Sequence, residues 1–300
     1  MQYINRLSEY RDSRESAVTF GKFDGLHRGH QKLTEKVREL GNRDGIRSIV
    51  CAFDMKPRQL LMTCEERKAH LNDKVDVLVN CPFTREFSRI SAEDFIRDIV
   101  KGVFHARYVV VGTDFRFGYE KRGDIRMLAD YAGQYGYQLI VIEKERYENR
   151  IISSTYIKEV LGHGDMRLAG ELLGYAYGIT GQVEHGKQLG RRLGFPTLNV
   201  VWPEDKLITP RGVYLSNVRI GGQSYHAISN IGVKPTVSKE EKVLAESFLF
   251  DYGGDAYGKS VSIELLEFCR PERRFENIEE LKACIDKDIA YGKRFFGYGE

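Results

Sequence analysis

The chain has 300 residues, 42% of them hydrophobic and 30% charged, with a formal net charge of +3. This composition excludes a disordered chain and leaves room for two domains of ordinary size. The small net charge argues against a nucleic-acid face, and no apolar run approaches bilayer length, so neither nucleic acid nor membrane is expected as a partner.

Residues 1–10 carry no apolar core of the signal-peptide kind. The cysteines are Cys51, Cys64, Cys81, Cys269 and Cys284. Their odd number and the lack of Cys-x-x-Cys point away from a disulfide frame or zinc site, so a cytoplasmic protein is expected.

Strand patterns fall at 17–20, 47–53, 75–79, 108–111 and 138–142, with helical patterns at 31–40, 91–101 and 124–134. Such alternation predicts a mainly parallel, Rossmann-like sheet covered on both faces, with ligands beyond the C-terminal strand ends. That edge is where Gly21-Lys22-Phe23-Asp24-Gly25-Leu26-His27-Arg28-Gly29-His30 falls. Gly21, Gly25 and Gly29 permit tight turns and close approach to a ligand. The helix start that follows suits phosphate, and His27 and His30 stand where it would lie. A metal held by the two histidines and Asp24 is a weaker alternative on ligand count. The spacing departs from both the P-loop and the Gly-x-Gly-x-x-Gly dinucleotide fingerprint. Further along, Asp114 and Arg116 follow a strand at the same edge, and Ser154, Thr155 and Lys158 open another helix. Hydroxyls and a basic side chain at a helix start suit either capping or phosphate.

Beyond about residue 173 short strands replace long helices, at 178–183, 213–218, 226–231, 245–249 and 261–268, and an amphipathic helix at 279–295 closes the chain. An antiparallel sheet or small barrel is expected there, with the boundary in 161–174. Gly186, Gly190 and Gly194 suggest backbone wrapped around an anion. Thr197 and Asn199 carry oxygens suited to hydrated Mg²⁺. Glu246 is a candidate base, although a surface carboxylate is the commoner fate of a lone glutamate.

The run Gly-x-Phe-Asp-Gly-x-His-x-Gly-His resembles the signature of the nucleotidylyltransferase superfamily, and its flanks resemble the FAD synthetase branch of bacterial bifunctional riboflavin kinase/FAD synthetases. Gly112-Thr113-Asp114-Phe115-Arg116-Phe117-Gly118 is similar to that family's nucleotide-site segment, and Ser153-Ser154-Thr155-Tyr156-Ile157-Lys158 to its Ser-Ser-Thr-x-Ile-Arg, with Lys158 in place of Arg. Phe53-Asp54-Met55-Lys56-Pro57 departs from Phe-x-Pro-His-Pro, leaving Lys56 or Arg58 as the charge available there. Gly190-Arg191-Arg192-Leu193-Gly194-Phe195-Pro196-Thr197-Leu198-Asn199 resembles the riboflavin kinase segment. Segments around Gly212-Val213-Tyr214, Asn230-Ile231-Gly232, Glu246 and Arg270-Pro271 agree in order.

The resemblance implies an adenylyltransferase domain over 1–170 and an antiparallel-barrel kinase domain over 171–300. It implies that riboflavin and ATP give FMN and ADP, and that FMN and ATP give FAD and pyrophosphate, with Mg²⁺. Glu246 would be the base of the first reaction, and His27 and His30 would act in the second. Gly21, Phe23, Asp24, Gly25, Gly29, Asp114, Arg116, Ser154, Thr155 and Lys158 would bind ligand in the first domain. Gly186, Gly190, Arg191, Gly194, Pro196, Thr197, Asn199 and Arg270 would do so in the second, with Thr197 and Asn199 on the metal. A kinase with an impaired first domain and a non-catalytic flavin sensor are the rival readings.

Overall fold

The computed structural model describes residues 1–55, 59–186, 190, 194–235 and 241–298. The chain divides into two compact units, Met1–Ser154 and Thr155–Glu300.

The first unit is built on strands β1 (Gln2–Ile4), β2 (Ser16–Gly21), β3 (Arg47–Asp54), β4 (Val77–Pro82), β5 (Ala106–Gly112) and β6 (Gln138–Ile142). They form one sheet in the order β1-β4-β3-β2-β5-β6, every neighbouring pair parallel. Val18, Phe20, Ile49, Val77, Val79, Val109 and Val111 face a common core, as fully covered parallel strands must. Helix α1 (Arg28–Asp44) packs on β2, β3 and β5 through Leu33, Val37 and Leu40. Helix α2 (Cys64–Leu71), which the periodicity does not reveal, opens with a capping box between Thr63 and Glu66.

The helix expected over 91–101 has one α-helical turn, α3 (Ala92–Asp94), and then runs as π-helix over Phe95–Val103. Ser91 Oγ caps it by accepting the Asp94 N–H at 3.0 Å. The wider coil delivers Phe104 into the core, 5.5 Å from Tyr10 and 5.6 Å from Phe20 by ring centroid. Helix α4 (Ile125–Tyr135) leads to β6, and a two-stranded ribbon, β7 (Arg146–Tyr147) and β8 (Arg150–Ile151), follows it. Chain connections leave β2 toward β3 on one side and reach β5 on the other, so the sheet's switch point lies between β2 and β5.

The second unit opens with α5 (Ser154–Gly162), whose first residue ends the first unit, and α6 (Met166–Leu173). Strands β9 (Gly178–Glu184), β10 (Thr197–Val201), β11 (Gly212–Ile220), β12 (Gln223–Pro235), β13 (Glu241–Leu249) and β14 (Ser260–Pro271) then close a barrel in the order β10-β13-β12-β11-β14-β9, all antiparallel. Alternation gives each strand two faces. One carries Ser216, Ser229 and Ser247, buried and joined hydroxyl to hydroxyl at 2.7 and 2.6 Å. The other carries Leu215, Ile228 and Phe248, over which the closing helix α7 (Ile278–Phe295) lies through Ile289.

Candidate functional site

In the first unit the site grows from the switch point. The turn after β2 holds Phe23, Gly25 and Leu26 at positive φ (49°, 81° and 38°). Two of these are not glycine, so the turn is strained, and full burial of Phe23 and Leu26 holds it in place. Gly21 lets the Phe23 ring lie on the backbone, 3.3 Å from where a Cβ would stand. Three further bonds hold the turn. Leu61 N–H donates to Asp24 Oδ1 at 2.7 Å, Ser154 Oγ to the Asp24 carbonyl at 2.9 Å, and Arg67 Nη1 to the Lys22 carbonyl at 3.3 Å. Asp24, expected among ligand contacts, thus ties the turn to the segment before α2.

His27 is the N-cap of α1, yet its side chain does not cap the helix. Its ring stacks on His30 at 3.8 Å, and Phe23 lies 5.1 Å from His30. Gly29 makes room for the His27 ring. Both Nδ1 atoms are buried without a hydrogen-bond partner among the described residues. Burial pulls His27 down to about 4 despite the Asp24 carboxylate, and burial with the neighbouring His27 holds His30 well below the ordinary histidine range. Both imidazoles are therefore neutral near pH 7, beside an uncapped helix N-terminus. Such a pair can donate to an anion and gain charge when one arrives.

The other expected residues of this unit are engaged locally. Asp114 meets Lys144 at 2.6 Å, and Arg116 meets Asp124, the N-cap of α4, at 2.8 Å. Thr155 and Lys158 follow Ser154 on α5 within the second unit. Glu145, which carries no sequence signal, joins Arg28 at 2.8 Å and also Lys32 on α1, and the Lys32 hydrogen bond holds its carboxyl below the usual range. Lys56 and Arg58 lie outside the described residues.

In the second unit, register assembles the site. Asn199 on β10 is paired with Glu246 on β13, and Glu246 in turn with Asn230 on β12. Thr197, two residues before Asn199, shares its face. These four line a cavity of about 370 Å³ between the barrel wall and α7, walled by Ile228, Phe248, Leu281 and Ile285 and rimmed by Arg270. Thr197 and Asn199 also line a more polar cavity of about 560 Å³ that reaches Gly186, Pro196 and the 252–257 turn. The two therefore stand between an apolar chamber and a polar one. Arg270 is held by a two-pronged pair with Asp288 of α7, at 2.7 Å for the closer contact, which raises its pKa.

Gly186 packs against Asn199, whose Nδ2 lies 2.6 Å from a would-be Cβ, and Gly190 crowds the Phe195 carbonyl. Gly194 is at φ 91°, a conformation glycine adopts without strain. Arg191 lies outside the described residues. The buried Asn199 Oδ1 has no hydrogen-bond partner among the described residues. With the nearby Thr197 hydroxyl it offers neutral oxygens, which fit a magnesium ion that keeps most of its water and takes substrate phosphate. Among the described residues no group of three His, Cys, Asp or Glu could hold a metal alone.

A family model described as FAD synthetase matches residues 9–156, and one described as riboflavin kinase matches 173–296. A bifunctional riboflavin kinase/FMN adenylyltransferase of Buchnera aphidicola is 35% identical over 294 residues, covering 94% of this chain and 93% of that one. The protein of that name from Escherichia coli K12 is 34% identical over 292 residues, covering 93% and 92%. A crystal structure described as a macrolide-efflux protein from Streptococcus pneumoniae matches with TM-score 0.86 at 27% identity, covering 97% of this chain and 98% of that one. Among the described residues no helix is long and apolar enough to cross a membrane. The two matched models in tandem, with relatives aligned over nearly their full length, make this chain a member of the bifunctional riboflavin kinase/FMN adenylyltransferase family.

Proposed function

We propose that the chain phosphorylates riboflavin with ATP to give FMN and ADP, and then joins FMN to AMP from a second ATP to give FAD and pyrophosphate. The reading is carried by the coexistence of two differently built sites, the neutral histidine pair after β2 and the Asn199–Glu246–Asn230 row of the barrel. Residues 1–170 are assigned to adenylyl transfer and 171–300 to the kinase, supported by matched models that end at 156 and begin at 173.

In the kinase, the apolar cavity suits a flavin ring and the polar one a nucleotide. Glu246, beside Asn199 in the strand register, lines the apolar cavity and accepts the proton of the ribityl hydroxyl as it attacks the γ-phosphorus. General-base help of this kind contributes about 10²–10⁴-fold. Thr197 and Asn199 would hold Mg²⁺, which neutralises phosphate charge. Asn230 and Asn199, paired on either side of Glu246, fix its strand position. Gly186, Gly190, Gly194, Pro196 and Arg191 would border the phosphates, and Arg270, steadied by Asp288, the flavin side.

In the adenylyltransferase, the attacking FMN phosphate is already an anion and needs no base. His27 and His30 donate N–H to the triphosphate, and charge growing on the departing pyrophosphate strengthens those bonds. Gly21, Gly25 and Gly29 let the backbone approach. Phe23 and Asp24 hold the turn, while Asp114, Arg116, Ser154, Thr155 and Lys158 would border the nucleotide and flavin phosphates. Five free thiols support a reducing compartment, the cytoplasm.

The test is chromatography of the flavins formed from riboflavin, ATP and Mg²⁺. FMN followed by FAD is expected. FMN alone would remove the second activity, and consumption of neither substrate would leave a flavin-binding protein.

A further inference from the structure

Arg67 is a buried cation whose charge no carboxylate among the described residues answers. It lies in the first turn of α2 and is 9% exposed. Nη1 reaches the Lys22 carbonyl at 3.3 Å, and Nη2 reaches Asn80 Oδ1 at 3.1 Å and Cys64 Sγ at 4.0 Å. Nε is buried with no hydrogen-bond partner among the described residues. Every one of these contacts is to a neutral group, and among the described residues no carboxylate pairs with the guanidinium. The nearby Asp24 carboxylate is turned to the Leu61 N–H.

Burying a cation without a counter-charge is costly. Here the cost falls directly beneath the turn of the histidine site, one carbonyl from its backbone. In such a water-poor setting the field of a guanidinium reaches several ångströms with little screening. A polyphosphate bound on the turn would meet both the histidine pair and this field. The structure, resting on the adenylyltransferase reading above, assigns to Arg67 the part of a positioning residue. We propose that it holds the Lys22 peptide and supplies from below the positive charge that the triphosphate and the departing pyrophosphate complete. The bound anion is the missing counter-charge, so binding and stability are coupled through this residue.

The test uses the full chain, magnesium pyrophosphate as the probe and calorimetric titration as the readout. Arg67→Met removes the charge and keeps most of the volume. Asn80→Asp leaves the guanidinium in place and cancels its charge with a neighbouring carboxylate. Both should weaken pyrophosphate binding about tenfold or more, whereas Arg67→Lys should stay within about threefold of the parent. Asn80→Asp keeps the guanidinium's bond to the Lys22 carbonyl and should not lower the melting temperature of the ligand-free protein, so its loss of pyrophosphate affinity cannot come from unfolding. Circular dichroism of the same samples, set against the parent, reports whether the first unit is folded, and flavin kinase activity reports the second. Pyrophosphate affinity within twofold of the parent for Asn80→Asp would overturn the proposal, even if Arg67→Met failed to fold. Failure of the parent itself to bind pyrophosphate would instead overturn the adenylyltransferase reading.

Discussion

Two kinds of residue would carry the proposed chemistry, and they are set in place differently. His27 and His30 are kept neutral by burial. His27→Ala or His30→Ala is expected to cut FAD formation from supplied FMN by about 10²-fold or more while FMN formation continues, checked by flavin chromatography. The same burial makes the fold sensitive to acid. The folded pKa of His27 lies near 4, below the ordinary value of 6.5. Above pH 6.5 both folded and unfolded states hold the neutral ring, and nothing is lost. As pH falls from 6.5 toward 4 the unfolded state binds the proton first, so stability declines by about 3 kcal/mol at most. Denaturant titrations at pH 7 and pH 4.5 should therefore give a larger drop for the parent than for His27→Gln. Glu246, by contrast, is set by strand register between two asparagines. Glu246→Gln should lower FMN formation about 10²–10⁴-fold and leave adenylylation of supplied FMN unaffected.

At the scale of elements, strand ends and register decide what meets. Gly178 begins β9 where it pairs with Glu264 of β14, and an added Cβ would run into the Ile263 carbonyl. Gly178→Ala is expected to lower the melting temperature and destabilise the barrel by about 1–3 kcal/mol, because backbone must shift to admit the methyl group. Five strands of each sheet were legible as alternating or continuous apolar runs, and 138–142 is strand β6 to the residue, whereas the short β1 and β10 were not read as strands. Helix α2 was not, since only Arg67 and Leu71 of its residues are buried and no apolar stripe results. The π-helix was hidden for another reason, because its buried positions Phe95, Ile96, Ile99 and Val100 fit an α-helical stripe equally well. In the sites, the glycines and histidines after β2 were readable because they lie together in one turn. Asn230 could not be placed beside Glu246, because a cross-strand partner sixteen residues away is fixed by register rather than by local spacing. Glu145 and Arg67 were missed because each acts through a contact far along the chain. Asp114 and Arg116 were found by motif, but their ion pairs with Lys144 and Asp124 lie beyond what a motif encodes.

Over the whole molecule, the histidine pair lies in one compact unit and the Asn199–Glu246–Asn230 row in the other, and the two reactions share FMN as product and substrate. The central claim is that these are separate sites on one chain, joined by that intermediate. It is tested most directly by mixing His30→Ala protein with Glu246→Gln protein and following riboflavin, FMN and FAD by chromatography in the presence of ATP and Mg²⁺. Separate sites require that each variant alone fail to make FAD from riboflavin, that His30→Ala accumulate FMN, and that the mixture restore FAD. Loss of both activities from either single variant, or a mixture that makes FMN but no FAD, would contradict two independent sites linked by released FMN.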